Sequence, residues 1–175
     1  FGQIALGGWV STNYAALACT QFPLCHGEWL PPADYANGFV LWRGLGVDYE
    51  FGVLDHPART AIQLVHRMGA VVLALAALAL LWRAWTLPVG RRIRQLTLGM
   101  VGLVTLQWTL GIANVLLSLP LAVAVGHTAG AALLMLGVLS LYHALSPVHE
   151  RVARAARTEP GAFGSLGRVR EVGQA

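Results

Sequence analysis

The chain has 175 residues, 56% of them apolar and 11% charged, with a mean hydropathy of +0.60. That balance excludes a soluble globule and describes an all-α integral membrane protein. The net charge of +4 comes with twelve basic residues, all of them arginine. They fall where membrane topology places positive charge, which argues against a nucleic-acid partner and for the lipid bilayer.

The first apolar run, Phe1–Val10, is about half of the ~20 residues that a membrane span needs. It reads as the end of a helix cut short, over residues 1–18, with Gly2, Gly7 and Gly8 allowing close helix approach. Residues 19–59 follow as a connecting loop. Cys19 and Cys25, the two cysteines of the chain, are spaced to close a small disulfide loop if they face an oxidising compartment. A metal site with His26 or a redox-active thiol pair is the alternative, although two cysteines and one histidine fall short of a closed zinc set. The aromatics Trp29, Tyr35, Trp42 and Tyr49 stand among Glu28, Asp34, Asp48, Glu50 and Asp55, a composition that predicts a lid on the membrane face rather than disorder. His56 is expected to be an exposed loop histidine.

Residues 60–146 hold three predicted spans, from about Thr60 to Trp85, Ile93 to Leu119, and Pro120 to Leu145. Arg83, Arg91, Arg92 and Arg94 flank the first turn and no acid does, which marks that turn as cytoplasmic. The tail, residues 147–175, carries five arginines and belongs on the same side, so the cysteine loop lies on the opposite, oxidising face. Together with the interrupted first helix the spans make a four-helix transmembrane bundle.

Two histidines stand inside these spans, in the matched sequences His66-Arg67-Met68-Gly69-Ala70 and His127-Thr128-Ala129-Gly130-Ala131. Ionisable groups at such depth are costly, so each is a functional candidate. Alternating topology makes their two helices parallel. Counted from the expected helix starts, both lie roughly 9–11 Å below the outer surface. Neutral imidazoles from two parallel helices suit the axial positions of a six-coordinate heme iron. Small residues, Gly69, Ala70, Gly126, Ala129, Gly130 and Ala131, would clear room for a flat macrocycle, or else serve direct helix packing. Arg67 must find an anion or reach outward; a heme propionate, a lipid headgroup or a loop acid would each satisfy it. Gln107 and Asn114 share a helix face and are expected to hydrogen-bond between helices, with cofactor contact the alternative. His143 and His149 complement the end of the last helix and are not ligand candidates.

Gly7-Gly8-Trp9-Val10, the Cys19–Cys25 loop with Phe22-Pro23, His66-Arg67-x-Gly-Ala, Gln107-x-x-Leu-Gly-x-x-Asn114-Val115 and Gly126-His127 together resemble the carboxy-terminal half of heme A synthase, the cytochrome oxidase assembly family. The resemblance covers roughly residues 3 to 145. It implies half of a pseudo-symmetric eight-helix protein that oxidises the C8 methyl of heme O to the formyl group of heme A, with heme b held here by His66 and His127. It further implies a Cys19–Cys25 disulfide, an amino-terminal half as partner, dealings with heme O synthase and oxidase assembly factors, and a bacterial cytoplasmic membrane; Arg67 is a cofactor-binding candidate on its depth alone. Where the other half of the family carries a required glutamate, this chain has Gln63, and an amide is no carboxylate base; no catalytic residue is therefore expected in this half. The other readings are a b-type cytochrome module that transfers electrons without hydroxylating anything, and a scaffold without cofactor.

Overall fold

The computed structural model describes residues 1–44 and 52–146. The readings that rest on Asp48, Tyr49, Glu50, His149 and the arginine-rich tail lie outside the described residues. What is described is helical: α1 (Gly2–Thr12), α2 (Tyr35–Gly38), α3 (His56–Thr86), α4 (Arg91–Leu116) and α5 (Leu121–Leu145). The last three are long and apolar enough to cross a membrane, so the chain is a multi-pass membrane protein.

Each span begins where local chemistry allows. Asp55 caps α3 by accepting from the Ala58 N–H at 3.1 Å, and Pro57 occupies the first turn, where no N–H is required. These residues start α3 at His56, a full turn before the Thr60 expected from hydropathy. Pro120 sits at the N-cap of α5, and Gly90 at that of α4. At the turn between α3 and α4, Arg94 donates to the Ala84 carbonyl at 3.1 Å and stacks over Trp85, satisfying the open end of α3.

The helices pack in a row, α1 on α3, α3 on α4, and α4 on α5. Ala77, Val104 and Leu134, one from each span, make a single buried cluster, while side chains such as Val72, Leu75, Leu121 and Leu136 stay exposed, as lipid-facing residues do. Residues 19–44 form a lid over the C-terminal end of α1 and the N-terminal end of α3. Trp9 donates to the Gly38 carbonyl at 2.9 Å, the Asp34 N–H donates to the Pro57 carbonyl at 3.1 Å, and Val10, Ala15, Leu54, Ala58 and Ile62 are buried beneath. Trp29, Tyr35 and Trp42 remain on its surface, as aromatics at a membrane interface do.

Candidate cofactor site

His66 projects from α3 toward α1. The Nε2 of Gln3 lies 3.1 Å from its Nδ1 and donates to its carbonyl at 3.0 Å, and a Cβ placed on Gly7 would stand 3.3 Å from its Cε1. His127 projects from α5 toward α4 in the same manner, where a Cβ on Gly111 would stand 3.3 Å from its Cε1. The buried Nδ1 of His127 has no hydrogen-bond partner among the described residues. The two imidazoles stand on α3 and α5, helices that both pack on α4. Both are half-buried.

Because α3 starts early, His66 lies ten residues into its helix and His127 six into its own, ~15 and ~9 Å along the two axes. The extra turn of α3 is the part packed under the lid. The likeness of the two histidines therefore resides in their immediate neighbours more than in depth counted from helix starts.

The small residues expected around the rings serve helix contact. A Cβ on Gly69 would run into the Gln3 carboxamide and one on Gly130 into that of Gln107, while Gly126 faces Leu110. The Ala70 carbonyl accepts from Trp108 Nε1 at 3.2 Å, which ties α3 to α4.

Arg67 reaches no acid among the described residues; it turns to the loop instead. Its guanidinium donates to the carbonyls of Cys19 and Gln21, both at 2.9 Å, and of Leu24 at 3.2 Å, with that of Pro23 at 3.5 Å, and it lies over the Phe22 ring. Backbone carbonyls were not among the partners expected for it. The loop that it holds is closed by the Cys19–Cys25 disulfide, with both cysteines buried. His26 stands beside the two sulfurs, but each sulfur is already bonded to the other, so the metal alternative is not what the structure holds. His56, exposed as expected, opens α3 and meets the His26 ring at 5.0 Å.

A heme fits these residues on two grounds. Two histidines able to offer neutral ring nitrogens are present, and the buried polar side-chain atoms without partners among the described residues stand on the helices that carry or brace them: Gln3 Oε1, Gln63 Oε1, Gln107 Nε2, Asn114 Oδ1 and His127 Nδ1, with Arg59 Nε besides. Buried polar groups are normally satisfied, and a set of exceptions needs a cause. Gln107 and Asn114 were expected to bond between helices; these two atoms do not. Gln3 was overlooked in the sequence, although Gln-x-x-Leu-Gly occurs at Gln3, Gln95 and Gln107, and that repetition was the available signal.

Residues 1–139 match the family model described as cytochrome oxidase assembly protein. Heme A synthase of Shewanella oneidensis is 46% identical over 144 residues, covering 82% of this chain and 43% of that protein. Heme A synthase of Rhodospirillum centenum is 33% identical over 144 residues (82% of this chain, 36% of that protein), and that of a Caulobacter strain 38% over 138 residues (77% and 36%). The chain thus spans less than half the length of these relatives. No solved structure matches it. A match over that much of the chain, carried by relatives of one name, shows that the chain belongs to the cytochrome oxidase assembly protein family.

Proposed function

We propose that the chain is the heme-b-binding half of a heme A synthase, a membrane oxidoreductase that converts the C8 methyl of heme O to the formyl group of heme A for cytochrome oxidase. The observation that carries this reading is the pair His66 and His127, each set with its Cε1 against the Cβ-less face of a glycine on its own partner helix, on helices that carry unpartnered buried polar atoms. A heme bound there supplies one-electron transfer. The chain's part is to hold both imidazoles neutral, to fix their ring planes through α1 and α4, and to keep water out with the apolar spans. Arg67 keeps a positive charge that no carboxylate among the described residues balances, and that charge would draw a propionate toward the lid. The charge pattern supports placing the cysteine loop outside a bacterial cytoplasmic membrane and the arginine turn inside.

Gln63 is buried, with 4% of its surface exposed, and its Oε1 is unpartnered. An amide there leaves this half without a base at that position, which also suits the second reading, an electron-transfer cytochrome module. Heme content of the full-length protein decides on the ligands. Wild-type protein is expected to show a low-spin bis-histidine heme that a His66→Ala/His127→Ala double variant loses from this half. An unchanged spectrum and heme content in the double variant would sink the proposal. Loss of that heme together with loss of heme A from cells favours the synthase over the cytochrome module.

A further inference from the structure

Two helix pairs in this bundle are built alike. On α1, Gln3 and Gly7 belong to Gln-x-x-Leu-Gly; on α4, Gln107 and Gly111 belong to the same sequence. Their partner helices carry His66-x-x-Gly69-Ala70 and His127-x-x-Gly130-Ala131. In each pair the first helix's glycine meets the histidine Cε1, and the first helix's glutamine fills the notch left by the glycine three residues after the histidine. The same five-residue sequence also stands at Gln95–Gly99, where a Cβ on the glycine would meet nothing within 4 Å; the contacts, and not the sequence alone, therefore mark the two histidine braces.

The two carboxamides are seated in opposite senses. Oε1 is the atom of Gln3 nearest Gly69, whereas Nε2 is the atom of Gln107 nearest Gly130. Both of those atoms are buried and unpartnered. A carboxamide turned over exchanges a donor for an acceptor at one place. As seated, Gln3 offers a donor to His66 Nδ1, which goes with the ring proton on Nε2. An imidazole that gives Nε2 to a metal carries its proton on Nδ1 and needs an acceptor there.

We propose that Gln3 is the positioning residue of His66, and that Gln107 stands in the same relation to His127: each carboxamide lodges in its glycine notch, and that of Gln3, which lies at His66 Nδ1, turns its oxygen to the ring when Nε2 is committed to iron. This rests on the reading of His66 and His127 as heme ligands. Glutamine suits the task because either sense of its carboxamide fills the same notch; turning that of Gln3 exchanges the bond from Nε2 to the His66 carbonyl for one accepted from Nδ1–H. Glycine is needed opposite because any Cβ would displace the amide.

The test uses the full-length protein with its heme. The g values of the ferric low-spin signal follow the ring planes of the ligands, and the midpoint potential follows their basicity; packing alone would move neither in a set direction. Gln3→Leu should retain heme, shift the g values and raise the potential, because a ligand whose Nδ1–H has lost its acceptor donates less to the iron. Gln3→Glu, which keeps an acceptor, should return both readouts toward wild type. Gly69→Ala should reproduce Gln3→Leu in the wild-type background and add little in Gln3→Ala, where the notch is empty. Unchanged g values and potential in Gln3→Leu at wild-type heme content would overturn the proposal, and so would a Gly69→Ala shift of equal size with and without Gln3. If Gln3→Leu does not accumulate, Gly69→Ala alone decides, unchanged signals again overturning it. Failure of the ligand reading is distinct: His66→Ala would then leave the low-spin signal of this half in place, whatever stands at residue 3.

Discussion

Replacing Arg67 by lysine tests how the cysteine loop is held. Arginine presents a planar fork whose two terminal nitrogens reach carbonyls on both sides of the loop, Cys19 and Gln21 from one and Leu24 from the other, at 2.9–3.2 Å. Lysine keeps the charge but donates from a single point and cannot span that set. A hydrogen bond from a charged donor contributes about 1.5–3 kcal/mol. Arg67 is only half-buried, so the lower end applies, and losing the equivalent of one to two bonds costs about 2 kcal/mol. That is about thirtyfold in the opening equilibrium of the loop. Amide hydrogen exchange in nanodiscs reads it directly, at Cys25 and Glu28, which bond each other's carbonyls at 2.8 and 3.0 Å, and at Gly27, which donates to Gln21 Oε1 at 2.8 Å. Exchange at these three amides should quicken about thirtyfold while amides in the middle of α4 keep their rates. A change of less than about threefold, with the disulfide intact, would show that the disulfide and packing hold the loop unaided and that the guanidinium contributes nothing measurable.

Gln63→Ala in the full-length protein should leave substantial heme A in cells, since an amide can contribute only about 1 kcal/mol through a hydrogen bond; complete loss of heme A, with heme b and protein level intact, would place the chemistry in this half. Gly38→Ala would bring a Cβ to 2.8 Å from the Ala58 carbonyl oxygen, an overpacking cost of about 1–3 kcal/mol, and limited proteolysis should find residues 19–44 cut sooner than in wild type. The Asn37 N–H and its side-chain amide hold the Asp34 carboxyl below its usual range. A lowered carboxyl pKa stabilises above the unfolded value and loses that effect as pH falls through the lowered one. Protection of the Asn37 amide should therefore hold from neutral pH down to the ordinary carboxylate range and fall in stronger acid, whereas Asp34→Ala should show weak protection without that dependence.

The spans were legible because lipid demands a long apolar run, and the turn between α3 and α4 because Arg83, Arg91, Arg92 and Arg94 flank it without an acid. His66 and His127 stood out because polar groups at such depth need a reason. The start of α3 was placed late since hydropathy weighs Asp55, His56 and Pro57 as loop, although an acidic cap followed by proline is a helix opening. The partners of Arg67 could not be read at all: backbone carbonyls leave no mark in the sequence, and only the folded loop gathers them. Gly69 and Gly130 were seen as small, but what fills the space beside a glycine is decided by the helix across from it.

His66 and Arg67 are consecutive, so their side chains leave α3 about 100° apart around its axis. One points to α1 and the bundle, the other grips the cysteine loop. Any rotation of α3 about its long axis that swung the imidazole out of alignment would have to drag the guanidinium off its carbonyls. The loop so gripped is itself cross-linked at Cys19–Cys25 and cannot follow far. The rotational setting of the helix that carries His66 is thereby locked from the lid, in the way that a key on a shaft stops a wheel from slipping.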